Sequence, residues 1–146
     1  MTRMVALLAL LGTLASTAAL AASDCPVPQG MQASVDLAKQ ALRAREAGVT
    51  KRDLLTYAPP VSDVQMPEVF KAIVDEVYDF PPLRPEVYAA YRFEHCFVSQ
   101  QHGEQLASLK FADVYPLLKQ CEQVDPEGAR PPCAMRALHK VTGIPE

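Results

Sequence analysis

Thirteen prolines divide this 146-residue chain into short segments, and they limit its fold more than any other feature of the sequence. A proline inside an α-helix removes a backbone hydrogen bond and clashes with the preceding turn, whereas a proline in the first turn is well tolerated. The segments between the prolines carry apolar residues at helical spacing, and none shows the alternation typical of a strand. The sequence therefore predicts an all-α fold, a small single-domain bundle of about five to six short helices.

Prolines and glycines also predict where these helices begin and end. Gly48 and Gly103 are typical helix stops, and Pro67 and Pro85 are suited to a first turn. The predicted helical segments are 32–47, a short one from Thr50 that ends before Pro59, one from Pro67 that ends before Pro81, 85–102 and 133–141. Two shorter pieces, 104–110 and 114–123, lie between the last two.

The first 21 residues have the pattern of a secretory signal peptide. Arg3 precedes an apolar run from Met4 to Ala15, and Ala19-Leu20-Ala21 forms a typical cleavage site. The alternative is an uncleaved membrane anchor, because no charge occurs from Met4 to Ser23.

Cleavage after Ala21 would leave residues 22–146 as a single helical domain, with 22–31 as an N-terminal arm. This mature chain has 125 residues, a net charge of −4 and no remaining membrane span. Acidic residues outnumber basic ones in it, which argues against a nucleic-acid partner.

Four cysteines in a secreted chain suggest two disulfides, and three pairings are open. We prefer Cys121–Cys133, which closes a short proline-rich connection, together with Cys25–Cys96, which ties the arm to the fourth helix. Alanine is abundant and arginine outnumbers lysine eight to six, a bias typical of GC-rich bacterial genomes. The predicted location is the periplasm of a Gram-negative bacterium, or the exterior of the cell.

The fourth helix carries a polar stripe of Tyr88, Arg92, His95, Ser99 and His102, which we interpret as a partner-binding surface. A metal site is disfavoured because His95 and His102 are separated by about 10.5 Å of helix rise. Ser99 lies one turn from His95, but the sequence around them lacks the context of a nucleophile elbow. No catalytic or metal-binding residue is therefore assigned.

The third helix has an acidic face of Glu68, Asp75, Glu76 and Asp79, relieved only by Lys71. We interpret this face as a second candidate surface, for docking a basic partner. The alternative is an ordinary solvated helix face.

Two charges fall on apolar helix faces, Arg45 in the first helix and Glu94 in the fourth. An unpaired buried charge is very costly, so we predict that Arg45 and Glu94 form a buried ion pair between neighbouring helices. The alternative is that Arg45 extends to solvent from the helix end.

The last helix has three basic residues near its C-terminus, which we explain as compensating the helix dipole: Arg136, His139 and Lys140.

All ten aromatic residues lie between Tyr57 and Tyr115. They predict an ordinary core or, alternatively, a cavity for an apolar ligand lined by Phe70, Tyr91 and Phe97. Phosphate-binding, dinucleotide-binding and zinc-ribbon patterns are absent from the sequence, so no cofactor is predicted.

Three stretches, Arg45–Thr50, Val74–Tyr78 and the position of Cys96, resemble small secreted helical proteins of proteobacteria that have no assigned activity. The resemblance implies a location and a helical fold, but no reaction and no site residues.

We expect a non-enzymatic protein that binds an envelope partner, as inhibitors, immunity proteins, chaperones and assembly accessories do. The alternative is a carrier of a small apolar ligand. A third hypothesis is a small hydrolase that uses His95 and Ser99.

Overall fold

The structure, a computed structural model, describes residues 30–57 and 66–146, and all regular secondary structure in these ranges is helical. A single 3-10 turn, Glu127–Ala129, precedes the last helix. The all-α prediction is thus confirmed for this part of the chain. The helices are α1 (Gly30–Glu46), α2 (Lys51–Thr56), α3 (Met66–Asp79), α4 (Pro85–Leu106), α5 (Phe111–Cys121) and α6 (Arg130–Thr142).

The short helix α2 begins as the sequence predicts. The hydroxyl of Thr50 accepts the backbone N–H of Asp53 at 3.1 Å, which satisfies one of the donors left open at a helix start. Leu54 and Leu55 pack against the core. Tyr57, just after the helix, is 81% exposed.

The fourth helix is longer than predicted. Gly103 was expected to end it, and the helix is interrupted there: His102 has the non-helical angles φ −134° and ψ 36°, and a further turn continues beyond this kink to Leu106. Leu106 is buried in the core, and this burial accounts for the additional turn. The predicted helix at 104–110 is thus partly the end of α4.

The predicted pieces 104–110 and 114–123 leave a gap at 111–113, yet Asp113 lies inside α5, as does Pro116. The Asp113 carboxylate accepts the backbone N–H of Lys110 at 3.3 Å and so helps to start the helix. Pro116 costs one backbone hydrogen bond. The complete burial of Val114 and Leu118 on the inner side of α5 offsets that loss.

The last helix begins three residues earlier than predicted. Pro131 and Pro132 occupy its first turn, where the backbone N–H groups have no acceptor within the helix. Gly143 ends α6 in the left-handed conformation with φ of 71°, and its N–H donates to the carbonyl of His139 at 2.8 Å.

The central element is α4, which packs against both α1 and α6. Among the other contacts, α3 lies beside α1 and α2, and α5 lies beside α6. The contact between the first and fourth helices is therefore as predicted. The core is aliphatic and aromatic, and its completely buried members include Ala38, Ile73, Val74, Val87, Val114, Leu118 and Leu138.

The predicted disulfide Cys121–Cys133 is confirmed, with 5.6 Å between the two Cα atoms. It joins the end of α5 to the first turns of α6. None of the cysteines in the described ranges is a free thiol, and Cys96 is completely buried. Its predicted partner Cys25 lies outside the described residues, so the Cys25–Cys96 pairing stays a prediction.

The leader at 1–21 and the arm before Gly30 also lie outside the described residues, and cleavage after Ala21 stays a prediction. Within 30–57 and 66–146, no helix combines the length and the apolar character needed to cross a bilayer.

Replacing both Cys121 and Cys133 by serine should lower the free energy of unfolding by about 3 kcal/mol, because the bridge closes a short loop that the unfolded chain would otherwise sample freely. The cysteines are separated by 12 positions. Urea unfolding followed by circular dichroism measures this loss. The control Gln123→Ser, at an exposed position of the same connection, should stay within about 0.5 kcal/mol of the parent. A double variant as stable as this control would contradict the expectation.

Candidate functional site

The predicted polar stripe of α4 faces the interior rather than a partner. Tyr88 and Arg92 are each 1% exposed, and His95 and Ser99 are also buried. Only His102, at the kink, is partly exposed. The prediction of an exposed binding stripe is therefore wrong for four of its five residues. The reason is that α4 is covered on several sides by other helices, so its polar face is enclosed as well.

A buried network of hydrogen bonds and an ion pair provides partners for the polar groups of this stripe. The Glu76 carboxylate of α3 accepts the Tyr88 hydroxyl at 2.7 Å and faces Nη1 of Arg92 at 3.3 Å. Burial above all, and then the Glu76 charge, raise the pKa of Tyr88 well above its ordinary value, so the phenol remains a donor. Glu76 thus ties α3 to α4 and is not part of an exposed acidic patch.

The other acidic residues of α3 are largely neutralised. Asp75 and Asp79 pair with Lys51 of α2 at 2.9 and 2.8 Å, and Asp75 also pairs with Lys71 at 2.6 Å. Glu68 is exposed at the start of the helix. The acidic docking face is thus reduced to a surface that mainly joins α2 to α3.

The environment of His95 and Ser99 does not favour the hydrolase hypothesis. Burial, together with the Arg92 charge, lowers the pKa of His95 to about 3, and an imidazole with so low a pKa is a poor general base at neutral pH. The Ser99 hydroxyl donates to the carbonyl of Cys96 at 2.9 Å. Both side chains are buried, and the structure assigns no nucleophile–base contact between them.

Arg45 has a different partner from the one predicted. Its guanidinium donates to the carbonyls of Val77 and Phe80, the latter at 2.7 Å, and lies 6.0 Å from the ring centre of Tyr78. Carbonyls at the C-terminal end of a helix have no partner within the helix and attract a cation. Arg45 of α1 therefore caps the end of α3, and within the described ranges no ion pair joins it to Glu94.

Glu94 is paired instead with His139 of α6, whose Nε2 lies 2.8 Å from Oε1 of Glu94. The other ring nitrogen, Nδ1, lies 3.0 Å from the carbonyl of Ile144. The sequence explained His139 by the helix dipole alone. The two residues are 45 positions apart in the chain, so the local sequence pattern does not predict their contact.

Two neighbouring cavities lie beside α6, one between α5 and α6 and the other between α4 and α6, and they share Arg136. The first, which we call the α5–α6 groove, has a volume of about 170 Å³ and is lined by Leu117, Gln120, Cys121, Cys133, Arg136, Ala137 and Lys140. The second, the Glu94–His139 cavity, has a volume of about 240 Å³ and is lined by Glu94, Pro132, Met135, Arg136, His139 and Glu146.

The cations of the α5–α6 groove are available to a ligand. Arg136 and Lys140 are both exposed, and neither forms an ion pair with any residue that the structure describes. Arg130, at the start of the same helix, is buried and contacts Glu86 and Glu127 at 3.4 and 2.9 Å. Helix α6 has no acidic residue of its own. Two cations four positions apart on such a helix are the sequence signal that could have indicated this surface.

The three residues named for the carrier hypothesis differ in their exposure to solvent. Phe70 and Tyr91 are buried, but Phe97 is 41% exposed on α4 and does not share their interior environment. The core cavity beside Tyr88 and Phe111 has a volume of only about 10 Å³, room for a single water at most.

Replacing Arg92 by methionine should destabilise the protein by about 3 kcal/mol or more, because the Glu76 carboxylate would lose a cationic partner in a nearly buried site. The control is Lys71→Met, which removes one partner of the exposed pair with Asp75 and should cost less than about 1 kcal/mol. Urea unfolding of the two variants compares them directly. Equal losses would show that the buried network contributes no more than a surface pair.

The stability should fall as the pH is lowered from 6.5 towards 3, since unfolded His95 binds a proton that the buried ring does not. The contribution of His95 to this fall in the free energy of unfolding is about 1.4 kcal/mol per pH unit at most. Unfolding curves at pH 5 and 6.5 should therefore differ less for His95→Gln than for the parent, whereas the control His102→Gln should keep the parent difference. A His95 ring signal that titrates near 6.5 in NMR spectra would contradict this expectation.

Known proteins offer no relative from which a site could be transferred, since no family model, curated protein or solved structure matches this chain. The function is therefore argued from the geometry of the surface around α6.

Proposed function

We propose that this chain is a non-enzymatic binding protein that docks an acidic segment of a partner protein in the α5–α6 groove. The observation that carries the proposal is the pair of exposed cations, Arg136 and Lys140, beside an apolar floor. Carboxylates of a partner would gain charge-assisted hydrogen bonds there, and the planar guanidinium of Arg136 suits a carboxylate in particular.

The floor of the groove supports an apolar anchor between those charges. Leu117 and Ala137 line it together with the Cys121–Cys133 disulfide, which holds α5 and α6 in a fixed relation. An apolar side chain that enters this floor is removed from water, which favours binding. Because the volume of about 170 Å³ is below the roughly 300–1,000 Å³ of typical small-molecule pockets, a peptide side chain fits the groove better than an enclosed ligand.

The charge distribution of the protein would restrict an acidic partner to one site. The whole chain has a net charge of −3, so a basic partner would be attracted to most of its surface. An acidic partner would be repelled by the average surface and attracted only at a local basic site. The α6 surface is such a site. Repulsion elsewhere and attraction at α6 would together direct an acidic partner to this surface.

The proposed setting is an oxidising compartment, either the periplasm of a Gram-negative bacterium or the cell exterior, with an envelope protein as the partner. The Cys121–Cys133 disulfide supports this setting, because such bonds persist mainly in oxidising compartments. The proposed signal peptide at 1–21 would deliver the chain there.

The double variant Arg136→Ala/Lys140→Ala should bind acidic peptides at least about tenfold more weakly than the parent, since the loss of two charge-assisted contacts is worth roughly 1.4 kcal/mol or more. The probes are labelled peptides that carry aspartate and glutamate around one leucine, and matched peptides in which lysine replaces each acid. Fluorescence anisotropy gives the affinities, and NMR shift changes locate the peptide on the protein.

The matched control is Lys39→Ala/Arg43→Ala, which removes the same two residue types at the same spacing from the exposed side of α1. It should leave peptide affinity unchanged. The proposal is overturned if the lysine peptides bind as well as the acidic ones, if no acidic peptide binds, or if the control variant weakens binding as much as the groove variant.

A further inference from the structure

The segment that follows α6 is folded back against the bundle. Gly143 reverses the chain with a positive φ, and Ile144 is 5% exposed within the core. The N–H of Ile144 donates to the Thr142 hydroxyl at 3.3 Å, while its carbonyl faces Nδ1 of His139 at 3.0 Å. One imidazole thus contacts both this segment, 143–146, and Glu94 of α4.

The geometry around this imidazole determines its protonation state. Both ring nitrogens lie within hydrogen-bond distance of oxygens that only accept, Oε1 of Glu94 at 2.8 Å and the Ile144 carbonyl at 3.0 Å. A neutral imidazole has one N–H and can satisfy only one of them, whereas an imidazolium donates to both. The observed arrangement is therefore that of a charged His139.

The charges near His139 favour the cation overall. Glu94 from α4 and Glu146 from the 143–146 segment are negative, and Arg136 from α6 is the cation that shares their cavity. The charged groups of the neighbouring elements have partners of their own: Lys119 pairs with Glu122 on the α5 side, and Glu127 of the 3-10 turn pairs with Arg130.

Burial by itself lowers the pKa of His139. The hydrogen bond to Glu94, the bond to the Ile144 carbonyl and the charges of Glu94 and Glu146 outweigh that effect, and the pKa lies above its ordinary value of 6.5. Because the folded pKa is raised, the stabilisation is complete below pH 6.5 and is lost as the pH rises through the folded pKa.

We propose that His139 is a protonation-dependent clasp, which holds the 143–146 segment against α4 while the ring is charged and releases it when the ring loses a proton. Deprotonation leaves one ring nitrogen facing an oxygen without a hydrogen between them. Its contact with Ile144 or Glu94 then becomes repulsive. Release would open the Glu94–His139 cavity beside Arg136. This inference does not rest on the proposed function.

NMR titration of the unmodified protein between pH 5 and 9 tests the clasp without any substitution. The ring signals of His139 should titrate above 6.5, and the backbone amide signals of Ile144 and Glu146 should shift with the same midpoint. The steady-state heteronuclear NOE of these amides should fall on the alkaline side of that midpoint as the segment becomes mobile. Amides that show no transition at the His139 midpoint, or a midpoint at or below 6.5, would overturn the proposal.

Two variants and a control sharpen the assignment. In His139→Gln the Ile144 transition should disappear, and in Glu94→Gln the His139 midpoint should fall, because the carboxylate charge is gone. The control His102→Gln removes another partly exposed histidine, at the α4 kink, and should leave the Ile144 transition unchanged. An Ile144 transition that persists in His139→Gln would assign the titration to another group and overturn the clasp.

Discussion

The compensation of Arg92 inside the bundle is the interaction on which the rest of the structure depends. Arg92 is 1% exposed on the central helix, and an uncompensated charge there would cost several kcal/mol. Glu76 provides the negative charge and Tyr88 adds a hydrogen bond, so these side chains link α3 to α4. The same contact removes Glu76 from the acidic face of α3. The need to pair Arg92 in the interior thus leaves that helix with fewer carboxylates on its surface.

Most other charges near helix ends or in the interior are likewise satisfied within the chain. Arg45 caps the end of α3, Arg130 contacts Glu86 and Glu127, and Glu94 contacts His139. Charges used in this way cannot attract a partner strongly, because their fields are already compensated. A binding surface is therefore expected where unpaired charges adjoin an apolar floor. Arg136 and Lys140 meet both conditions, whereas the exposed cations of α1 line none of the described cavities.

Local sequence signals predicted local structure well. The start of α2 at Thr50 and the Cys121–Cys133 bridge both depend on residues close in sequence, and both are observed. The start of α6 at Arg130, ahead of Pro131 and Pro132, was missed. The polar stripe was misassigned because a helical wheel places polar residues towards solvent, whereas α4 is enclosed by its neighbours. The Arg45–Glu94 prediction identified the correct neighbouring helices but chose the wrong partners, since backbone carbonyls and a distant histidine carry no signal in the pattern. The α5–α6 groove requires two helices to be placed side by side, which periodicity alone does not specify.

His95 and His139 show how one residue type acquires opposite charge states around the same helix. His95 lies on α4 beside the Arg92 guanidinium, where burial and a like charge both exclude a proton. His139 approaches α4 from the other helix at Glu94, where two oxygen acceptors require a proton. Acidification therefore works against folding through His95, and alkaline conditions work against it through His139. The two histidines therefore favour folding most at a pH between their two titrations, near neutrality. Their opposite charge states follow from the order of Arg92, Glu94 and His95 along one helix.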